Sequence, residues 1–174
     1  MALKPVRLEP EALAELEAAA IWYDGREAGL GSALLLGGAL YFQYVLGLAP
    51  CEMCHWQRWP HIASIVAGAA AVACFARPRV ALAFALVAVA ALVVTAAIGV
   101  FHVGVEYQWW QGPQACSGTI PRGLSAEELR KYLFNAKMVR CDQVAWSLWG
   151  ISMAGWNAVL SAALAFVVAV GAAN

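Results

Sequence analysis

Pro50-Cys51-Glu52-Met53-Cys54-His55-Trp56-Gln57-Arg58-Trp59-Pro60-His61 sets two cysteines, two histidines, two tryptophans and an arginine between long apolar runs. Thiols separated by two residues have the shortest common spacing that closes a reversible disulfide or supplies half a metal site. Here the pair stands at the mouth of a segment apolar enough to enter a membrane. The rest of the chain is therefore read for what surrounds a membrane-edge dithiol.

Outward from this stretch, composition points to a membrane protein. Of the 174 residues, 63% are hydrophobic and 13% charged, where a soluble domain carries about a quarter charged residues. Four apolar runs are expected to span: 30–48, 60–76, 80–105 and 146–170. Each is near the ~20 residues that cross hydrocarbon, the second at the short limit. Buried soluble helices are excluded, because four such runs would leave almost no polar surface. The fold class expected is an all-α four-helix transmembrane bundle with two loops on one side, and Arg77-Pro78-Arg79 forming the tight turn on the other. Formal net charge is zero, so nothing points to nucleic acid.

Residues 1–29 form a separate, charged extension. Pro10 suits a first helical turn, and no apolar core precedes a small-residue cleavage site. The wording Glu9-Pro10-Glu11-Ala12-Leu13-Ala14-Glu15-Leu16-Glu17 through Trp22-Tyr23, followed by Gly29-Leu30-Gly31, weakly resembles the opening helix of a ParE/RelE-type toxin. That likeness lacks the sheet that would follow, and the segment reads as a short cytoplasmic extension.

The other cysteines are Cys74, inside an apolar run, and Cys116 and Cys141, in the loop of about residues 106–144. In that loop Ser125-Ala126-Glu127-Glu128 has the form of a capping box. The helix expected behind it carries Leu129, Tyr132, Leu133 and Ala136 on one face, suited to a membrane surface or to packing on the loop itself. Arginine and lysine counts do not decide the orientation. Redox logic does: four loop cysteines share one side, and disulfides persist on the oxidising side. Trp56, Trp59, Trp109, Trp110, Trp146 and Trp149 cluster at that end, as an interfacial aromatic belt does.

Three chemistries fit the four loop cysteines: two structural disulfides, one tetrahedral zinc site, or relay of electrons between two dithiols. Arg58 favours the relay. In a helix it would lie one turn beyond Cys54, where a cation stabilises a thiolate. Pro60 is poorly tolerated inside a helix, so the second helix is expected to start near Trp59.

Three motifs in order then resemble the DsbB family: the opening stretch; Phe101-His102-Val103-Gly104-Val105-Glu106-Tyr107-Gln108-Trp109-Trp110-Gln111-Gly112-Pro113; and Arg140-Cys141-Asp142-Gln143-Val144-Ala145-Trp146 with the residues through Asn157. The resemblance runs from residue 30 to the end. It implies a multi-pass enzyme of the bacterial inner membrane, with both termini cytoplasmic and its cysteine loops periplasmic. Such an enzyme reoxidises a periplasmic DsbA-like thiol oxidase and passes the electrons to ubiquinone or menaquinone. On this likeness Cys51 and Cys54 are the quinone-side pair, and Cys116 and Cys141 the pair that meets the soluble donor. Arg58, Glu106 and His102 are the expected quinone-site residues, and no metal is expected. The family often has a histidine after the acidic position, where this chain has Tyr107. A hydrogen-bonded helix-end role also accounts for His102, as for His55 and His61. The alternatives are a vitamin K epoxide reductase-like quinone reductase, which carries its Cys-x-x-Cys on the last span, and a tetraspan metal-binding protein.

Overall fold

The computed structural model describes residues 9–113, 123, 125–135 and 139–171. Its elements are α1 (Pro10–Tyr44), α2 (Glu52–Ala73), α3 (Pro78–Glu106), α4 (Ala126–Asn135), β1 (Ser147–Leu148), β2 (Ile151–Ser152) and α5 (Met153–Gly171). Helices α1, α2, α3 and α5 form the bundle, with α1 and α3 each packed on the other three.

The packing is inverted relative to a soluble protein. Small residues fill the core: Ala28, Ala71, Ala81 and Ala88 are fully buried. Large apolar side chains face outward, with Leu34 78% and Phe166 70% exposed. Lipid removes the hydrophobic drive between helices, so close backbone approach does the packing and big side chains face the tails. At the α1–α2 crossing a Cβ on Gly68 would come 2.5 Å from the carbonyl oxygen of Gly25, so only glycine fits there. Helices α3 and α5 are long and apolar enough to cross a membrane by length and composition.

The structure changes several sequence expectations. The charged extension is not a separate piece, because α1 runs unbroken from Pro10 to Tyr44. Asp24, Gly25 and Ala28 on it are buried, Ala28 in the core cluster with Ala67 and Leu92. Truncation should therefore depend on the cut. Removing residues 1–20 should leave thermal stability in detergent nearly unchanged. Removing residues 1–28 should lower the unfolding midpoint, since it strips packing from α2 at a cost of about 1 kcal/mol or more.

The second helix begins at Glu52 rather than near Trp59, and Pro60 sits inside it. Cys51 is the N-cap, its sulfur accepting from the Cys54 N–H at 3.3 Å. That cap satisfies one of the orphan amides of the first turn. The fourth span begins later than expected. Residues 147–152 form a two-residue antiparallel hairpin, pairing Ser147 with Ser152 and Leu148 with Ile151. Trp149 and Gly150 turn it with φ of 53° and 78°, the left-handed pair that suits a tight hairpin. The capping box is present: Ser125 N–H and Oγ bond Glu128 Oε2 at 2.9 and 2.7 Å, and Glu128 N–H returns to Ser125 Oγ at 3.3 Å. The apolar face expected behind it lies outside the described side chains.

Candidate active site

The site is built where the start of α2 meets the ends of α1 and α3, closed by the hairpin before α5. Capping fixes Cys51 at the helix start, so Cys54 occupies the first turn with its sulfur 3.0 Å from that of Cys51. Both precede the span expected at 60–76. The Cys51 thiol donates to Cys54, and this bond does most to lower the Cys54 pKa, to about 7. The Arg58 charge lowers it further, while burial and the Glu106 charge oppose the shift. The same hydrogen bond, with burial, holds the proton on Cys51 and pushes its pKa up. The pair is thus divided into a thiolate at Cys54 and a thiol at Cys51, the asymmetry that thiol exchange requires.

A cavity of about 480 Å³ opens beside Cys54. Its wall is mostly apolar, with Leu34, Leu35, Phe42, Trp146 and Leu160 among the lining residues. Cys54, Gln57, Arg58, His61, His102 and Asn157 are the polar or ionisable residues among those that line it. An apolar slot with a few fixed polar groups suits a flat, apolar ligand carrying polar edges.

The continuous helix puts Arg58 one turn beyond Cys54, as the spacing predicts. Its Nη1 donates to Gln43 Oε1 on α1 at 2.6 Å, and its buried Nε has no partner among the described residues. His102 reaches the site from α3: its Nε2 is 3.5 Å from Cys51 Sγ and its Nδ1 2.9 Å from Gln57 Nε2. It also hydrogen-bonds the Cys141 backbone. Glu106, the last residue of α3, does not line the cavity; Ser152 hydrogen-bonds it and its Oε2 is buried without a partner among the described residues.

Cys141 is disulfide-bonded and fully buried, packed in one cluster with Cys51, Met53 and Val105. Cys116 lies outside the described residues. A bonded Cys141 offers no thiolate, so this arrangement is not a four-thiolate zinc site. Cys51, Cys54 and His102 do bring three donor atoms within 4.8 Å of one another.

Cys74 is free and half-buried, at the C-cap of α2 rather than in mid-span. It lies at the far end of α2 from Cys51. Cys74→Ala should retain full quinone reduction, measured in detergent beside the parent protein; a folded but inactive variant would contradict this.

Sequence reasoning left out Gln57, Gln43 and Asn157, and grouped His61 with His55. The structure separates the two histidines. His55 is exposed, whereas His61 is buried and lines the cavity. Single polar residues in apolar runs have no shared spacing, so only the fold reveals that they meet.

Comparison with known proteins follows the same pattern. The family model described as Disulfide bond formation protein DsbB matches residues 27–171. Disulfide bond formation protein B of Stutzerimonas stutzeri is 32% identical over 133 residues, covering 75% of this chain and 81% of that protein. Disulfide bond formation protein B of Haemophilus influenzae is 30% identical over 138 residues, covering 74% and 73%. Disulfide bond formation protein B 2 of Pseudomonas aeruginosa is 28% identical over 137 residues, covering 75% and 78%. No solved structure matches the chain.

Proposed function

The chain belongs to the DsbB family, and from that premise we propose that it is a membrane thiol:quinone oxidoreductase. It reoxidises a periplasmic DsbA-type dithiol oxidase and passes the electrons to ubiquinone or menaquinone, so supporting disulfide bond formation. The observation that carries this reading is Cys54 on the wall of an apolar cavity while its partner Cys51 packs against a bonded Cys141.

Exchange proceeds through the chain's own sulfurs. The donor dithiol reduces the Cys116–Cys141 disulfide and leaves oxidised. The Cys141 thiolate then attacks Cys51 in the Cys51–Cys54 disulfide; a Cys141–Cys51 bond forms and Cys54 leaves as a thiolate. Cys116 attacks Cys141, restoring the loop disulfide and releasing Cys51. That step leaves free Cys51 and Cys54 beside a bonded Cys141, the set of states observed here. Arg58 then holds the Cys54 thiolate at the cavity wall, and His102 faces the Cys51 sulfur where its proton must leave. Glu106 acts on Cys54 through its charge from outside the cavity. A bound quinone takes two electrons and two protons and leaves as the quinol.

The cysteine loops face the oxidising compartment, where their disulfides persist, and both termini face the cytoplasm. Purified protein in detergent, given reduced donor and quinone without oxygen, should oxidise one donor dithiol per quinone consumed. Donor oxidation at an equal rate without quinone, or quinone left unconsumed, would refute the proposal.

A further inference from the structure

The cavity has a second polar end, deeper in the bundle than Cys54. His61 follows Cys54 by seven residues on α2, a rise of about 10 Å. His61 is 3% exposed and lines the cavity. Its Nε2 is 2.8 Å from Asn157 Oδ1 on α5 and 3.4 Å from Thr95 Oγ1 on α3.

The surrounding bonds fix which ring nitrogen carries the proton. Asn157 Nδ2 donates to Thr95 Oγ1 at 3.1 Å and to the Thr95 carbonyl at 3.4 Å. Thr95 Oγ1 in turn donates to the Gln57 carbonyl at 3.1 Å. The Asn157 amide therefore turns its oxygen to His61, where it also accepts from Ser161 at 3.4 Å. An amide oxygen only accepts, so His61 Nε2 carries a hydrogen. The Nδ1 lone pair is left over, and that atom is buried with no partner among the described residues. Leaving a buried acceptor without a donor is costly. Such a group is expected to be used, and this one belongs to a side chain on a cavity wall.

We infer that His61, held by Asn157 and Thr95, carries a proton through Nδ1 to the acceptor's oxygen distal to Cys54 and then binds the hydroxyl formed there. The inference rests on the quinone-reductase reading and adds a second anchoring point to it. The balance closes without another reactant. The dithiol gives up two electrons as the Cys51–Cys54 bond forms and two protons in all, one on ionisation of Cys54 and one from Cys51, and the acceptor takes two of each. The Nδ1 lone pair takes up one of these protons, and the protonated ring donates it to the distal oxygen. The ring is then neutral again, as at the start, and its Nδ1 accepts a hydrogen bond from the hydroxyl it has made; the second proton goes to the oxygen beside Cys54. The same residues select the substrate class: a ring with an oxygen at each end spans the two poles, and a ring with only one oxygen does not.

Binding is separable from turnover in a Cys54→Ser background, by following quenching of Trp146 and Trp149, which line the cavity, as a short-chain quinol is added. His61→Leu should weaken quinol binding there about tenfold, equivalent to about 1.4 kcal/mol. In the otherwise native protein His61→Leu should lower quinone turnover and leave single-turnover exchange with the donor unchanged. His61→Gln should recover most of the binding and little of the turnover, because an amide bonds an oxygen but does not carry a proton to it. Parent-like binding and turnover in His61→Leu would overturn the inference. So would a His61→Leu protein that loses donor exchange together with quinol binding, which marks a structural role. Failure of the quinone-reductase reading itself has a different signature: the parent protein would not consume quinone at all.

Discussion

The Cys54→Ser protein should fold, and should show no quinone-dependent turnover above the rate without protein. Serine fills the same space and keeps the hydrogen bond to Cys51, but its oxygen neither forms a disulfide nor carries electrons. The thiolate also sets a pH dependence. With the Cys54 pKa lowered to about 7, the anion dominates above that pH and its share falls tenfold for each unit below. In the reduced protein, alkylation at Cys54 should follow this profile with a midpoint near pH 7, while Cys51 stays protonated and slow. A Cys54 midpoint above pH 8.5, the range of a free thiol, would mean that the Cys51 hydrogen bond and Arg58 do not act as described. Residual quinone turnover in Cys54→Ser would place electron transfer on another group.

Arg58→Met should raise the quinone Michaelis constant and lower turnover about tenfold or more, with donor exchange at Cys116–Cys141 largely intact. A thiolate at a membrane face is disfavoured by desolvation and needs a compensating cation. Each pKa unit of lost stabilisation corresponds to about 1.4 kcal/mol, or a factor of ten. Methionine keeps the bulk of the stem and removes the charge. It also frees Gln43, whose oxygen accepts from Arg58 at 2.6 Å. Arg58→Lys keeps charge but loses the planar fork, so it should lie between the two. Steady-state kinetics against quinone and against donor separate these effects. A variant slowed in donor exchange but unchanged toward quinone would make Arg58 an interfacial anchor.

The fold was legible where apolar length alone carried the signal. Helices α3 and α5 stand out by hydropathy, and the dithiol stretch locates the mouth of α2. Boundaries were missed for local reasons. Pro60 suggested a late start for α2, yet the Cys51 cap and the continuing backbone carry the helix from Glu52 through it. Trp146, Leu148, Trp149 and Ile151 are apolar enough to read as span, and Gly150 was the lone turn signal for the hairpin they form. Residues 10–29 read as a charged appendage, because charge describes their exposed face and not the Asp24–Ala28 edge that packs on α2.

The site divides similarly. Cys51, Cys54 and Arg58 lie within the first two turns of one helix, and their relation follows from spacing. His102 lies 45 residues from Gln57 and 51 from Cys51, so its hydrogen bonds to both exist only in the folded bundle. His61, Thr95 and Asn157 belong to three different helices and form a connected set only through packing. Cys141 shows its bonded state and its contact with Cys51 in the structure, whereas spacing alone left zinc and redox readings open.

The central claim is that electrons pass from a loop disulfide to the Cys51–Cys54 pair and then to quinone. Acid trapping followed by alkylation and mass spectrometry reads the redox state of Cys51, Cys54, Cys116 and Cys141 directly. With excess reduced donor and no quinone, Cys51 and Cys54 should accumulate as thiols; adding quinone should return them to a disulfide within one turnover. A Cys51–Cys54 pair that stays oxidised under reduced donor, or stays reduced after quinone is added, would contradict the account.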